Sequence, residues 1–152
     1  DTHSMSAANA DGSSVAAVIN AALAEAALPH TTITAIKAHG TASLLNDEAE
    51  AAGLLRVFSD SHLPPVCALK PFIGHTLGAC GLTELILFWQ AIANGFIPAT
   101  AGIGADPSVL GISLNQQLQA TDSGAYLLNY FGFGGNNTAL LIGKNSTGGS
   151  GQ

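Results

Sequence analysis

Charge is scarce in this sequence. Asp, Glu, Lys and Arg together make up 9% of its 152 residues, against 47% apolar. A typical soluble domain carries about 25% charged residues. So little charge cannot cover a free surface, which implies that a partner subunit or a further segment covers part of this one. Basic residues are scarcest: Lys37, Arg56, Lys70 and Lys144 are the whole set, and the net charge is −6. Four dispersed cations make no footprint for nucleic acid. Long apolar runs are missing too. Leu85 to Trp89 is far too short to span a bilayer. No charged-then-apolar leader opens the sequence. Two cysteines, Cys67 and Cys80, build no disulfide framework, and a reducing cytoplasm is the expected location. The sequons at Asn136 and Asn145 then read as chance matches. Zinc is a poor fit, because His39, His62 and His75 are widely spaced and no His or Cys pair has ligand spacing. No Gly-x-Ser-x-Gly elbow supports a serine hydrolase.

What is present reads as one domain over residues 1–144, with a disordered Gly/Ser-rich tail over 145–152. After a small polar loop over Asp1 to Gly12, Ser13 or Ser14 caps a helix. Its apolar face runs through Val15, Val18, Ile19, Ala22, Leu23 and Ala26, and Pro29 ends it. Thr31 to Ala38 reads as a strand. Asn46 is expected to cap a second helix with Asp47, Glu48 and Glu50 in its first turn and Leu54, Leu55 and Phe58 on its apolar face. A short strand over Val66 to Leu69 leads to a long helix from about His75 to Asn94. There the small residues Gly78, Ala79 and Gly81 would allow close packing, and Leu82, Leu85, Ile86, Trp89 and Ile92 would be buried. Ile97 to Gln119 is irregular. Two strands, Gly124 to Phe131 and Asn137 to Ile142, finish the chain. This order is an α/β pattern: a mixed sheet, crossover helices and a C-terminal antiparallel strand pair.

Ligands bind at the C-terminal ends of strands in such sheets. Three unusual loops fall at strand ends: His39-Gly40-Thr41, Lys70 to His75, and Phe131 to Asn136. A lone histidine at a strand end can simply hydrogen-bond within its loop. Lys70 and His75 favour a site. Lys70 reads as ending a strand, either solvated or buried against a carboxylate such as Glu84. His75 would open the long helix, where the dipole favours a neutral imidazole. The turn Phe131-Gly132-Phe133-Gly134-Gly135-Asn136 lacks the last glycine of a dinucleotide fingerprint and precedes a strand instead of a helix. It is a tight hairpin turn or a mobile loop that offers Phe133 to a pocket. Cys67 sits in an apolar strand and Cys80 in a helix, both poor places for a nucleophile.

Together the motifs Ala38-His39-Gly40-Thr41 with Asn46, Asp47 and Glu50, then Lys70 to Gly81 with Glu84, then Asn129 to Asn137 resemble the β-ketoacyl-acyl carrier protein synthases, which have the thiolase fold. The resemblance runs from about Asp1 to Gly143. It implies half of a thiolase-like fold and the C-terminal half of a decarboxylating Claisen condensation site. His39 and His75 would hydrogen-bond a malonyl thioester and stabilise the enolate. Lys70 would pair with Glu84 behind them. Thr41 and Ser43 match positions that contact the phosphopantetheine arm. Phe131 and Phe133 belong to the gating loop, with Phe133 at the gating position. No cofactor is implied beyond the phosphopantetheine of the carrier protein. The implied partners are acyl carrier protein, the N-terminal half with its nucleophilic cysteine, and a second subunit in a homodimer or heterodimer. The resemblance also expects a strand ahead of Asp1, near the centre of this half's sheet. Ala42 stands where glycine is usual and Ser43 where threonine is usual. A silent ketosynthase-like partner subunit is the main alternative, and an enzyme using Cys67 or Cys80 a lesser one.

Overall fold

The computed structural model describes residues 9–58, 62–104 and 108–146. The expected tail from residue 147 onward and most of the expected N-terminal loop lie outside the described residues.

The elements follow in order as α1 (Ser13–Glu25), β1 (Ile33–Lys37), α2 (Leu44–Val57), β2 (Val66–Cys67), α3 (Lys70–Ile73), α4 (Cys80–Ala93), β3 (Phe96–Ile97), β4 (Ser108–Val109), β5 (Ile112–Ser113), β6 (Gln119–Ala120), β7 (Gly124–Phe131) and β8 (Asn137–Lys144). The main sheet has the order β2-β1-β7-β8. β1 runs parallel to β2 and to β7, while β8 returns antiparallel to β7 over eight paired positions. This is the mixed α/β sheet that the sequence implied. β3 with β6 and β4 with β5 form two small antiparallel pairs within the segment that reads as irregular.

The sheet is buried on both sides, as the sheet of a three-layer domain must be. On one face Ile33, Ile36, Val66 and Leu127 pack with Val15, Ile19 and Leu23 of α1 and Leu54 of α2. On the other, Ala35, Cys67, Tyr126 and Leu128 pack with Phe88 and Ile92 of α4. Gly53 fixes how closely α1 and α2 approach: a Cβ there would lie 2.4 Å from Val15. Lys144 of β8 donates to the carbonyl of Ile92 at 2.7 Å, tying the last turn of α4 to the sheet.

Several local expectations change. The first helix is capped from Gly12, with the Asp11 carboxylate taking the Ser13 N–H at 2.9 Å, because Ser13 and Ser14 already lie inside its first turn. The second begins at Leu44, two residues before Asn46. Glu50 therefore falls in the second turn and is buried, and Leu55 turns outward. The strands at Ile33 and Val66 are shorter than read. The long helix expected from His75 starts only at Cys80 as α4, after a 3₁₀ turn over Leu77–Ala79, and a short extra helix, α3, forms ahead of His75 over Lys70–Ile73. Lys70 therefore opens a short helix instead of ending a strand.

The inward face of α4 also differs from the expectation. Glu84, Phe88, Ala91 and Ile92 are buried, whereas Leu82 and Ile86 are 66% and 50% exposed and Trp89 is also exposed. A helix apolar nearly all round gives no single face to read. Glu84, held by two lysines, and Phe88, edge-on to Tyr126 at 6.0 Å, set the rotation. Gly78 and Gly81 meet no close neighbour among the described residues. The expected central strand has no vacant slot, since β1 and β7 pair directly.

Candidate active site

β1, β2 and β7 are mutually parallel, so their C-terminal ends lie along one rim of the sheet. His39 leaves β1, Lys70 follows β2, and Phe131 ends β7. The rings of His39 and His75 stand edge to face at 5.7 Å, and those of His39 and Phe131 lie 5.4 Å apart. Three loops far apart in sequence thus converge on one imidazole.

His39 is buried, and two carboxylates hold its loop from behind. Glu50 accepts the N–H of His39 at 2.9 Å, the N–H of Gly40 at 3.0 Å and the side-chain amide of Asn129 at 3.0 Å. Asp47 accepts from the N–H groups of Thr41 and Ala42. Burial pushes both carboxyls above the ordinary carboxylate range, while these hydrogen bonds pull the other way. Gly40 is needed here: its φ is +50°, and a Cβ would lie 2.8 Å from that of Ala68. Ala42 has φ +60°, a left-handed conformation that suits the family's usual glycine better than alanine.

Lys70 lies on the other side of His39. Its Nζ donates to the His39 carbonyl and sits 3.4 Å from His39 Nδ1. It also meets Glu84 Oε1 at 2.7 Å, an ion contact out of line for a hydrogen bond. An ammonium has only hydrogens to offer. Nδ1 must then be the acceptor, and Nε2 carries the proton. Burial, then Lys70, Lys37 and His75, push the His39 pKa down to about 3, so the ring is neutral.

His75 is exposed, in the loop between α3 and the 3₁₀ turn. Its Nδ1 accepts the Leu77 N–H at 3.2 Å, which leaves its proton on Nε2 as well. This local bond replaces the helix-end argument made from sequence, because α4 starts five residues later. Thr41 is half-buried with its hydroxyl unpartnered among the described residues, and Ser43 is exposed at the start of α2. The gating position, Phe133, lies outside the described side chains.

Sequence reasoning missed Lys37. It is 0% exposed on β1 and donates to Glu84 Oε2 at 2.6 Å and to the Asn129 carbonyl at 2.8 Å. Its ammonium lies 3.7 Å from the centre of the Tyr130 ring. Burial lowers its pKa, against the pull of Glu84. Burial and then Glu84 raise that of Tyr130. Lys37, Glu84, Lys70, His39, Glu50 and Asn129 form a closed ring of contacts across five elements. A charged residue amid β-branched neighbours was the one signal in the sequence. Cys67 is fully buried with its thiol pushed up to about 12, and Cys80 is half-buried. Among the described residues no three His, Cys, Asp or Glu side chains group as a metal site, and no helix is long and apolar enough to cross a membrane.

The profile of the family described as Beta-ketoacyl synthase, C-terminal domain, matches residues 1–104. A 3-oxoacyl-[acyl-carrier-protein] synthase 2 of Vibrio cholerae is 30% identical over 146 residues, covering 93% of this chain and 35% of the relative. The actinorhodin polyketide putative beta-ketoacyl synthase 1 of Streptomyces coelicolor is 30% identical, covering 99% and 32%. Among solved structures, a ketosynthase in complex with its chain length factor from Xenorhabdus doucetiae superposes with a TM-score of 0.84 at 34% identity, covering 95% of this chain and 37% of that one. The chain therefore spans about a third of the length of these relatives.

Proposed function

Since this chain belongs to the β-ketoacyl synthase C-terminal domain family, we propose that it forms one half of the active site of a decarboxylating Claisen condensation. The observation that carries this reading is the pair of imidazoles, His39 and His75, 5.7 Å apart, each with Nδ1 engaged by a donor, which leaves Nε2–H to donate. Two convergent N–H donors suit a thioester oxygen that becomes an enolate oxygen. Malonyl carried on acyl carrier protein would lose CO₂ as its C–C bond breaks, and the electron pair would pass to the thioester oxygen held by the two imidazoles. The enolate carbon would then attack an acyl thioester on a cysteine of the upstream half, forming the new C–C bond and expelling that thiolate. His39 and His75 are the catalytic residues on this side. Lys70, paired with Glu84, holds His39 in place, and the Leu77 N–H holds His75. Thr41, Ser43, Phe131 and Phe133 line the approach of the phosphopantetheine arm and the acyl chain.

The upstream half is the first partner, and the exposed apolar face of α4 suits its cover. Acyl carrier protein is acidic, so with only four basic residues here its docking leans on that half. A homodimer or heterodimer in the cytoplasm completes the proposal. A silent ketosynthase-like subunit is the second reading, because one structural neighbour is a complex with a chain length factor. The residue at the nucleophile position upstream separates the two: cysteine supports the enzyme, any other residue the silent subunit.

The test is His75→Ala in the protein completed by its upstream half. His75 is exposed, so melting should hold while malonyl decarboxylation and condensation fall by at least about 100-fold. Condensation at the wild-type rate would remove His75 from the mechanism.

A further inference from the structure

Lys37 lies outside the motif that carries the family resemblance, which begins at Ala38. Yet it is among the largest fully buried side chains. A methionine could fill much of the same space without the desolvation that a buried ammonium brings. Its partners show what the charge does. Glu84 divides its two oxygens between two lysines: Oε2 takes an aligned hydrogen bond from Lys37 at 2.6 Å, and Oε1 meets Lys70 out of line at 2.7 Å. Lys37 is itself fixed by the Asn129 carbonyl and the face of Tyr130.

We infer that Lys37 is a positioning residue for His39, acting through Glu84 and Lys70. By holding Oε2 it keeps the carboxylate turned, so that Oε1 does not draw a Lys70 hydrogen fully into line. The Lys70 ammonium then keeps hydrogens for the His39 carbonyl and for His39 Nδ1. Without Lys37, Oε2 is a buried carboxylate oxygen with no donor, which is costly. The carboxylate rotates and takes two hydrogens from Lys70. The bond that Lys70 surrenders is its longest, 3.4 Å to His39 Nδ1. Nothing then holds Nδ1 as the acceptor, and the proton spreads over both ring nitrogens. The groups that face this cluster are Lys37 on β1, Cys67 on β2, Lys70 on α3, Glu84 and Cys80 on α4, Asp47 and Glu50 on α2, Tyr130 on β7, and the two histidines.

The importance of this tautomer for catalysis rests on the proposed condensation, but its measurement does not. The ¹⁵N-labelled chain near neutral pH reports His39 through two-bond ¹⁵N–¹H correlations. Wild type should show one tautomer, with Nδ1 bare and Nε2 protonated. Lys37→Met should show the two ring-nitrogen shifts drawn together by a mixture. Lys37→Gln keeps an N–H donor for Oε2 and should restore the single tautomer. His75, held by the Leu77 N–H, should not change in any variant. A pure Nε2–H tautomer in Lys37→Met overturns the inference. Should Lys37→Met not fold, Lys37→Gln decides alone, since a mixture there overturns it equally. If the completed protein never condenses, the proposed function fails while the tautomer result stands. If it condenses and Lys37→Met leaves His39 unchanged, only the role of Lys37 fails.

Discussion

In the proposed mechanism His39 acts as an uncharged donor in a buried place, and that requirement links the site to pH. Its folded pKa of about 3 lies below the ordinary 6.5. Below pH 6.5 the unfolded chain takes up a proton that the folded chain refuses. Stability from this group is therefore present above pH 6.5 and is lost as pH falls toward 3, at about 1.4 kcal/mol per unit. Glu50 and Asp47 act in the opposite sense. Their raised carboxyls favour folding below the ordinary carboxylate value, and that contribution is lost as pH rises through the raised values. The windows overlap, so a single pH curve mixes the two effects. Urea melts of wild type and His39→Gln separate them. Between about pH 6.5 and about pH 5, wild type should lose about 2 kcal/mol more than the variant. Parallel curves would mean that His39 takes up its proton in the folded state.

At the scale of elements, α4 is the clearest test of what the sequence could tell. Leu82, Ile86 and Trp89 on one side and Phe88 and Ile92 on the other are equally apolar, so periodicity alone placed Ile92 and Leu85 inward correctly but put Leu82, Ile86 and Trp89 with them and missed Phe88. The helix was rotated by Glu84, whose two lysine partners come from β1 and α3. Such distant pairing leaves no trace in local pattern. By contrast α1, β1, β7 and β8 were legible, because Val15, Ile19 and Leu23 recur at helical spacing and the strands are rich in β-branched or aromatic residues. His39, Lys70 and His75 stood out because their loops fall at strand ends, Glu84 stood out as a carboxylate for a buried Lys70, and the family resemblance reinforced that pairing. Lys37 did not stand out, because one lysine in a strand ordinarily faces water. The rotation makes a direct prediction. In this chain Phe88→Ala should cost about 3–5 kcal/mol, as burial at 0% exposure and the contact with Tyr126 demand. Ile86→Ala, two residues earlier on the opposite face, should stay within about 0.5 kcal/mol. Equal losses in thermal or urea melts would restore the inward face read from sequence.

At the scale of the molecule, the proposed half-site would give low charge and the open face of α4 one explanation: another piece of protein would finish this surface. A groove between α4 and β8, lined by Leu85, Ile86, Trp89 and Ile142, lies on the same side. In the proposed reaction the chemistry would be unfinished in the same sense, because His39 and His75 would hold an oxyanion but cannot receive an acyl group as a thioester. The two thiols present are poor candidates for that task. Cys67 is sealed in the sheet with its thiol pushed up to about 12, so almost no thiolate forms near neutral pH. Cys80 opens α4 half-buried, and no basic side chain bonds it among the described contacts. Incubation of the chain with an acyl-carrier protein thioester, followed by intact mass, should show no added acyl group, while iodoacetamide should label Cys80 faster than Cys67. Adding the upstream half should then produce one acyl adduct, mapped to that half. An acyl group found on Cys80 of this chain alone would make it a self-sufficient acyltransferase, and the missing nucleophile would no longer be needed to explain its open face.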